Sequence, residues 1–315
     1  MIDGGQLIGH AKETTLQHQV KGFRTRLRRG GKAFAMNALK PTYVVEADRV
    51  QGPKLSEFWA YRELYLLLVK RDFIAAYKQT VLGPLWFFIQ PFLASLVFLV
   101  VFSQIARLPT TDLPPLVYYM SGIILWNYFA NCLTQVSFTF LSNGGVFRKI
   151  HFPRLIMPLS HVSMNLLNFM AQLLVLFAVI AVYNLTGTRV IISPNFIFVL
   201  PILIAIGLFA FGLGCLIASA TVKYRDLNIV VGYIVQLWMY GSLVIYPRSL
   251  VPVQWRTLMA ANPMATFVEW YRACLFTTEH ALINPLLFAI CCTAVVLVAG
   301  IWCFIRAEGT FTDSI

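Results

Sequence analysis

The chain has 315 residues, of which 58% are hydrophobic and 12% charged, against about 25% charged in a soluble domain. That deficit excludes a soluble globular domain and makes this an integral membrane protein. Lys and Arg outnumber Asp and Glu 25 to 13, which in a membrane protein can mean loops held at the cytoplasmic face, so the position of the charges decides their meaning.

Residues 1–55 are polar, and "KGFRTRLRRGGK" (21–32) is a basic run. It reads as a cytoplasmic tail near anionic lipid. No aromatic platform accompanies it, so nucleic acid is not an expected partner. "MIDGGQLIGHAKETTLQ" has no apolar core, and no signal peptide is expected. "SEFWAYRELYLLLVKRDFIAAYKQTVLG" (56–83) has apolar bulk broken by Arg62, Glu63, Lys70, Arg71, Asp72 and Lys78. Glu63 and Lys70, like Arg71 and Lys78, are seven apart and share a helical face. Ser56 is a fair N-cap and Gly83-Pro84 a stop, so the stretch predicts an amphipathic helix lying in the cytoplasmic interface.

Spanning the hydrocarbon takes about 20 apolar residues. Six segments qualify: 85–106, 115–138, 157–183, 195–221, 228–247 and 283–305. The region 248–282 is mixed. Its apolar piece "NPMATFVEWYRACLF" is too short to span and carries Glu269 and Arg272, so a re-entrant or interfacial extracytoplasmic helix is expected between spans 5 and 6. The predicted fold is therefore an all-α membrane protein with six transmembrane helices, an interfacial helix before the first and a re-entrant region before the last. With the N-terminus inside, 20 of the 25 Lys and Arg residues fall on the inner side, so both termini are expected in the cytoplasm.

Two inner loops then stand out. "SNGGVFRKIHFPRLIMP" (142–158) joins spans 2 and 3, and "VKYRD" (222–226) joins spans 4 and 5. A solvated turn explains their charge. The apolar residues beside that charge suggest a docking surface for a cytoplasmic partner.

The chemistry of a catalyst is missing. "GGK" at 30–32 is no phosphate loop, since position 26 is Arg; HExxH and GxSxG are absent; and no Asp or Glu lies in the core of any span. His161 near the start of the third span reads as a satisfied histidine. The six cysteines form no CxxC pair and read as small hydrophobes, so no metal site is expected. The lack of intramembrane carboxylates argues against proton-driven transport. The spans are instead rich in aromatic and amide side chains: Trp86, Phe87, Phe88 and Gln90; Tyr118, Tyr119, Trp126, Asn127 and Tyr128; Trp238 and Tyr240. An interfacial aromatic belt accounts for part of this. The other reading is a passage in which rings stack on sugar C–H faces and amides bond to hydroxyls.

"YKQTVLGPLWFFIQP" (77–91), "FRKIHFPRLIMPLS" (147–160), "VKYRDLNIVV" (222–231) and "NPMATFVEWYR" (262–272) occur in this order with six spans between and around them. Together they resemble the membrane subunit of ABC-2-type polysaccharide exporters over residues 55–310. That family moves O-antigen, capsular or teichoic-acid glycans on undecaprenyl diphosphate or a related lipid.

The resemblance implies a homodimer of this chain in the bacterial cytoplasmic membrane, bound to two copies of a separate ABC ATPase that holds the ATP and Mg; no cofactor is implied in this chain. It makes the interfacial helix a gate helix. It makes Phe147, Arg148, Phe152, Pro153 and Arg154 the first ATPase-coupling contact. Tyr224, Arg225 and Asp226 become either part of the cytoplasmic entrance or a second coupling contact. Arg62, Lys70, Arg71 and Lys78 are candidates for receiving the lipid diphosphate, with positive-inside anchoring an equal alternative. The expected function is the pore-forming permease of an ATP-driven exporter of lipid-linked polysaccharide. The rivals are an ABC-2 permease for a drug or lipid, and less favourably a membrane-embedded transferase or a structural scaffold.

Overall fold

Apolar helices separated by Pro, Gly and short polar turns build the molecule. Residues 59–75, 78, 81–147, 152–224, 226–277 and 281–313 are described in the computed structural model, all within the unit Val50–Ile315. Helix α1 is Arg62–Ala75. Leu64, Tyr65 and Leu68 pack against the bundle, while Leu66, Leu67, Phe73 and Ile74 stay exposed. The expected cap Ser56 lies outside the described residues. Gly83 sits at φ +53, a left-handed conformation that suits glycine, and opens a tight turn (Gly83–Leu85) into α2, Trp86–Phe98, which ends in a π-helical turn, Leu99–Ile105.

Helix α3 (Pro115–Ser137) begins on a proline at its first position. α4 (Thr139–Phe147) follows after a break at Phe138. The expected inner loop 142–158 is thus helical through Phe147, with Gly144 and Gly145 inside the helix. α5 is Ile156–Leu185. A short turn, Pro194–Phe198, capped by Ser193 Oγ accepting from the Asn195 amide, leads into α6 (Val199–Thr221). Then come α7 (Leu227–Tyr240), α8 (Val253–Ala260), α9 (Pro263–Leu275) and α10 (Ile283–Asp313). Among the described residues there is no strand, only one isolated antiparallel bridge between Ile192 and Phe276.

Among the described residues four stretches are long and apolar enough to cross a membrane: Gly83–Ile105, Ile156–Leu185, Pro194–Thr221 and Ile283–Ala307. Two of the six expected spans fall short for different reasons. α3 has the length, with 23 residues, but its Tyr, Asn, Gln and Ser content lowers its apolarity. α7 has the apolarity, but its 14 residues reach only about 21 Å of a hydrocarbon layer about 30 Å thick. Exposed Leu93, Val97, Leu174, Ile234, Leu237, Val295 and Val298 on the outer faces suit contact with lipid.

α3 is the hub. It packs on α2, α5, α6, α7 and α9, and its residues Val117 to Leu133 fill the main core. α6 lies between α3 and α10. At that crossing Gly212 and Gly300 meet so closely that a Cβ on Gly300 would sit 2.1 Å from the Gly212 carbonyl oxygen. Small residues that let backbones touch are the usual means of packing helices in lipid, where no hydrophobic drive holds helices together. A second core joins α1, α4, the start of α5, α6 and α10 through Leu68, Phe140, Phe147, Phe152, Ile156, Phe211 and Phe304.

Candidate functional site

The candidate residues fall at two ends of the bundle and in the core between them. At one end α1 lies along the beginning of α5. Tyr65 Oη shares a hydrogen bond with Ser163 Oγ, Arg71 Nη2 reaches Met157 Sδ at 3.8 Å, and Asp72 Oδ2 lies 3.2 Å from His161 Nδ1. Asp72 is also held by Arg71 through Nε at 2.9 Å and Nη2 at 2.7 Å. Burial by itself would raise the Asp72 pKa, but the His161 and Arg71 contacts outweigh it and hold the carboxyl below its usual range. His161 is therefore the partner of a carboxylate on the neighbouring helix. Sequence analysis read His161 as a satisfied histidine but named no partner for it, because Asp72 and His161 are 89 positions apart and only the α1–α5 packing joins them.

The sign of the Asp72 shift fixes a pH dependence. A carboxylate with a depressed pKa adds stability above its ordinary value and loses it as pH falls through its lowered one. The α1–α5 attachment is expected to hold at neutral pH and to loosen below about pH 3.8, the ordinary value for Asp. A nitroxide on Leu66→Cys, with Cys291 replaced, should gain mobility on acidification, and Asp72→Asn should make it mobile at every pH. A label equally mobile at neutral and acid pH would disprove the latch.

The four cationic residues suggested for the lipid diphosphate are exposed along this helix and the segment after it. Arg62 lies over the Trp59 ring at 5.7 Å, Lys70 and Lys78 face outward, and Arg71 is engaged with Asp72. Among the described residues Lys70 and Lys78 thus present charge without a partner, Arg62 rests on an aromatic ring, and Arg71 is part of the latch.

The coupling residues sit near the same end. Phe147 and Phe152 are turned into the protein, 5.8 Å apart, in the second core with Phe140 and Phe304. Sequence analysis took these rings as part of an exposed docking surface; packing inside a single chain buries them, and they anchor the loop. Arg154 covers the Phe147 ring at 5.6 Å, and Pro153 is half-buried. Arg148 and Arg225 lie outside the described residues. Tyr224 and Asp226 are exposed, with Lys223 over the Tyr224 ring at 5.1 Å.

The residues suggested for a sugar passage divide into two groups. Tyr118, Tyr119, Trp126 and Tyr128 are buried in the core of the chain. Trp126 packs edge-on to Trp238 at 6.5 Å, and Phe129 stacks on Phe209 at 6.0 Å, so these rings fasten α3, α6 and α7 together. Trp238 Nε1 donates to Asn262 Oδ1 at 3.1 Å, which ties α7 to the cap of α9. Asn127, Phe87 and Phe88 are half-buried, while Trp86 (45% exposed), Gln90 and Tyr240 (46%) reach the surface.

At the other end the chain leaves α7 in a bent segment, Gly241–Tyr246, where Leu243 takes φ +56. Arg272 of α9, only 3% exposed, pins it. Its Nη1 donates to the Leu243 carbonyl and to Tyr118 Oη, both at 2.8 Å. Its Nη2 donates to the carbonyls of Val244 (2.8 Å) and Tyr118 (3.2 Å). The guanidinium also lies 3.8 Å from the centre of the Tyr118 ring. Gly122 makes the room, since a Cβ there would meet Nη2 at 2.6 Å. One turn before Arg272, Glu269 pairs with Arg248 at 3.0 Å. In the sequence Arg272 looked like a charge that kept α9 out of the membrane interior. The structure shows it replacing a turn's missing hydrogen bonds, a role that no spacing rule reveals.

Residues 63–276, from the first turn of α1 to the end of α9, match the profile described as ABC-2 type transporter. The chain belongs to that family. Similar proteins named O-antigen export system permease protein RfbA come from Klebsiella pneumoniae, 27% identical over 80% of this chain and 94% of the relative, and from Myxococcus xanthus, 29% identical over 82% and 98%. A second Klebsiella pneumoniae protein of that name is 28% identical over 67% of this chain and 79% of its own length. This ABC-2 chain is thus a multi-pass membrane protein of a transporter family. The family match ends before α10, yet α10 is locked to α6 by the Gly212–Gly300 contact, so the matched region and the last helix form one packed body.

Proposed function

We propose that this chain is the permease subunit of an ATP-driven exporter that moves an O-antigen-like polysaccharide, carried on a lipid diphosphate, out of the cytoplasm. The observation that carries this reading is the near end-to-end match with two O-antigen export permeases, over 94% and 98% of their lengths. On this reading two copies form the passage in the bacterial inner membrane and two ABC ATPase subunits bind beneath them. The ATPase supplies the ATP and Mg, and this chain carries no cofactor and no catalytic site. α3 and α7 complete six spans, with both termini cytoplasmic, and α8–α9 form a re-entrant pair.

A permease without a nucleotide site must receive force through contact. The loop after α4 suits this role because Phe147 and Phe152 are packed against Leu68 of α1 and Phe304 of α10 in one core. A push on the loop would therefore move the gate helix and the last helix as a rigid body. The passage itself would be lined by the aromatic and amide groups at the surface, Trp86, Gln90 and Tyr240, where the second copy would face them.

Co-purification with an ABC ATPase subunit from the same organism tests the reading. A complex of two permeases and two ATPases is expected, with ATP hydrolysis stimulated by lipid-linked glycan. Arg148→Ala with Arg154→Ala, which leaves both phenylalanine anchors in place, should remove the stimulation. Trp86→Ala should lower glycan export while ATP hydrolysis persists. Trp126→Ala, by contrast, should lower the yield of folded protein, because that ring is core. A chain that binds no ATPase would overturn the proposal, and small-molecule efflux in place of glycan export would favour the drug or lipid permease.

A further inference from the structure

Two cavities flank the segment Tyr246–Met259 between α7 and α9. One is a polar cleft of about 440 Å³ lined by Arg248, Arg256 and Arg272 with Glu269, Thr111 and Tyr118. The other is an apolar groove of about 390 Å³ lined by Leu108, Tyr246, Leu250, Val251, Trp255 and Met259. They share no lining residue, but successive residues of the segment alternate between them: Tyr246 and Pro247, Ser249 and Leu250, Trp255 and Arg256. One strip of chain therefore presents cations to one side and hydrocarbon to the other.

The cleft carries three guanidinium groups and one carboxylate, a balance of two positive charges. Glu269 pairs with Arg248 Nη1 at 3.0 Å, and Arg256 Nε donates to the Val251 carbonyl at 3.0 Å. Arg272 is buried and its Nε has no acceptor. The buried Arg272 guanidinium, with an Nε that no acceptor meets, lies beside the half-buried Arg248 and the exposed Arg256; this arrangement favours an anion in the cleft, and the forked geometry of arginine suits phosphate oxygens. Helix α8 adds the depth. Val253, Trp255 and Leu258 are exposed around Arg256, the pattern of a helix lying at a membrane surface with its cation in the phosphate layer.

We propose that this cleft and groove form a binding site for a phosphorylated lipid whose headgroup carries two negative charges. The phosphates would sit on Arg248 and Arg256 above Arg272, and the first hydrocarbon units would lie along Leu250, Trp255 and Met259. A doubly charged group matches the two-charge balance, which a phosphodiester headgroup with one charge does not. The site lies near Tyr118 on α3, whereas the α1 patch adjoins the start of α5, which bonds to the far end of α3 through Asn165 and Gln135. The 17 residues from Tyr118 to Gln135 separate the two by about 25 Å. Resting on the export reading, the ligand is the carrier lipid's diphosphate and this is the site it meets after leaving the gate helix.

The test uses the full chain in phosphatidylcholine nanodiscs, with Arg62, Lys70 and Lys78 changed to Gln to silence the α1 patch. Farnesyl diphosphate is the probe, used at a pH below the second ionisation of its terminal phosphate so that it carries two negative charges. It is expected to bind, with phosphatidylglycerol, inorganic pyrophosphate and farnesol each competing at least about tenfold less well. Adding Arg248→Gln and Arg256→Gln should weaken binding about tenfold or more, the loss of one or two charge-assisted contacts. Arg256→Gln alone, at an exposed side chain, guards against misfolding and should show part of the loss. Unchanged binding in both variants would overturn the site, and equal competition by phosphatidylglycerol would overturn its charge specificity. The assay needs neither ATPase nor glycan, so its failure leaves the export reading standing. Failure of the ATPase complex likewise leaves the binding result standing.

Discussion

The Arg272→Met variant is expected to yield little or no folded protein. The guanidinium donates to four acceptors: the carbonyls of Leu243 and Val244, the Tyr118 hydroxyl, and the Tyr118 carbonyl, which also accepts from Ser121 Oγ. A buried polar group left without a partner costs about 1–3 kcal/mol, so the loss should reach about 3 kcal/mol even if some acceptors find new donors. The strained Leu243 at φ +56 loses its tether as well, and such a conformation persists only where its surroundings hold it. Methionine fills much of the volume, so the effect isolates hydrogen bonding from packing. Arg272→Lys should be only a partial rescue, because one ammonium cannot fork across α3 and the turn after α7. Fluorescence-detected size exclusion and a thermal ramp in detergent read the outcome. A methionine variant that melts with the wild type would show that the bent segment is held by something else.

Gly300→Val is expected to be nearly as damaging, by a different route. Even a methyl at this position would sit 2.1 Å from the Gly212 carbonyl oxygen and 3.0 Å from its Cα. The opposing atoms are backbone, so nothing can swing aside and α6 and α10 must separate. Separation would open both cores, since Phe211 and Phe304 pack in one and Val296 rests on the other. Overpacking costs about 1–3 kcal/mol where side chains can adjust, and more is expected where they cannot. Gly232→Ala is the matched control. It lies on α7 with open space around it, and its effect should stay within about 1 kcal/mol, in the stabilising direction. Equal losses of folded protein in the two variants would remove the crossing as the explanation.

The two variants also mark what a sequence can and cannot disclose. The spacing of apolar runs, the low charge and the bias of Lys and Arg make an all-helical membrane protein legible, because hydrocarbon forces backbone hydrogen bonds inside each helix and excludes charge from its length. The four ordered motifs point to the ABC-2 family, and Gly83 and Pro84 mark the break before α2, because a left-handed residue and a missing amide are local properties of the chain. Roles that depend on distant residues are not legible. Tyr118 and Trp126 have the composition of a sugar platform and the position of core, because α3 is the hub that the neighbouring helices cover. Phe147 and Phe152 look like docking residues beside their charges, yet the folding of α4 against α10 turns them inward. Asp72 acquires His161, and Arg272 acquires a turn 29 residues away, only when α1, α7 and α9 have packed. Local propensity and the solvent thus determined which segments are helices. The tertiary structure alone decided which polar groups are partners, because burial leaves a charged side chain only the acceptors that its neighbours bring within reach.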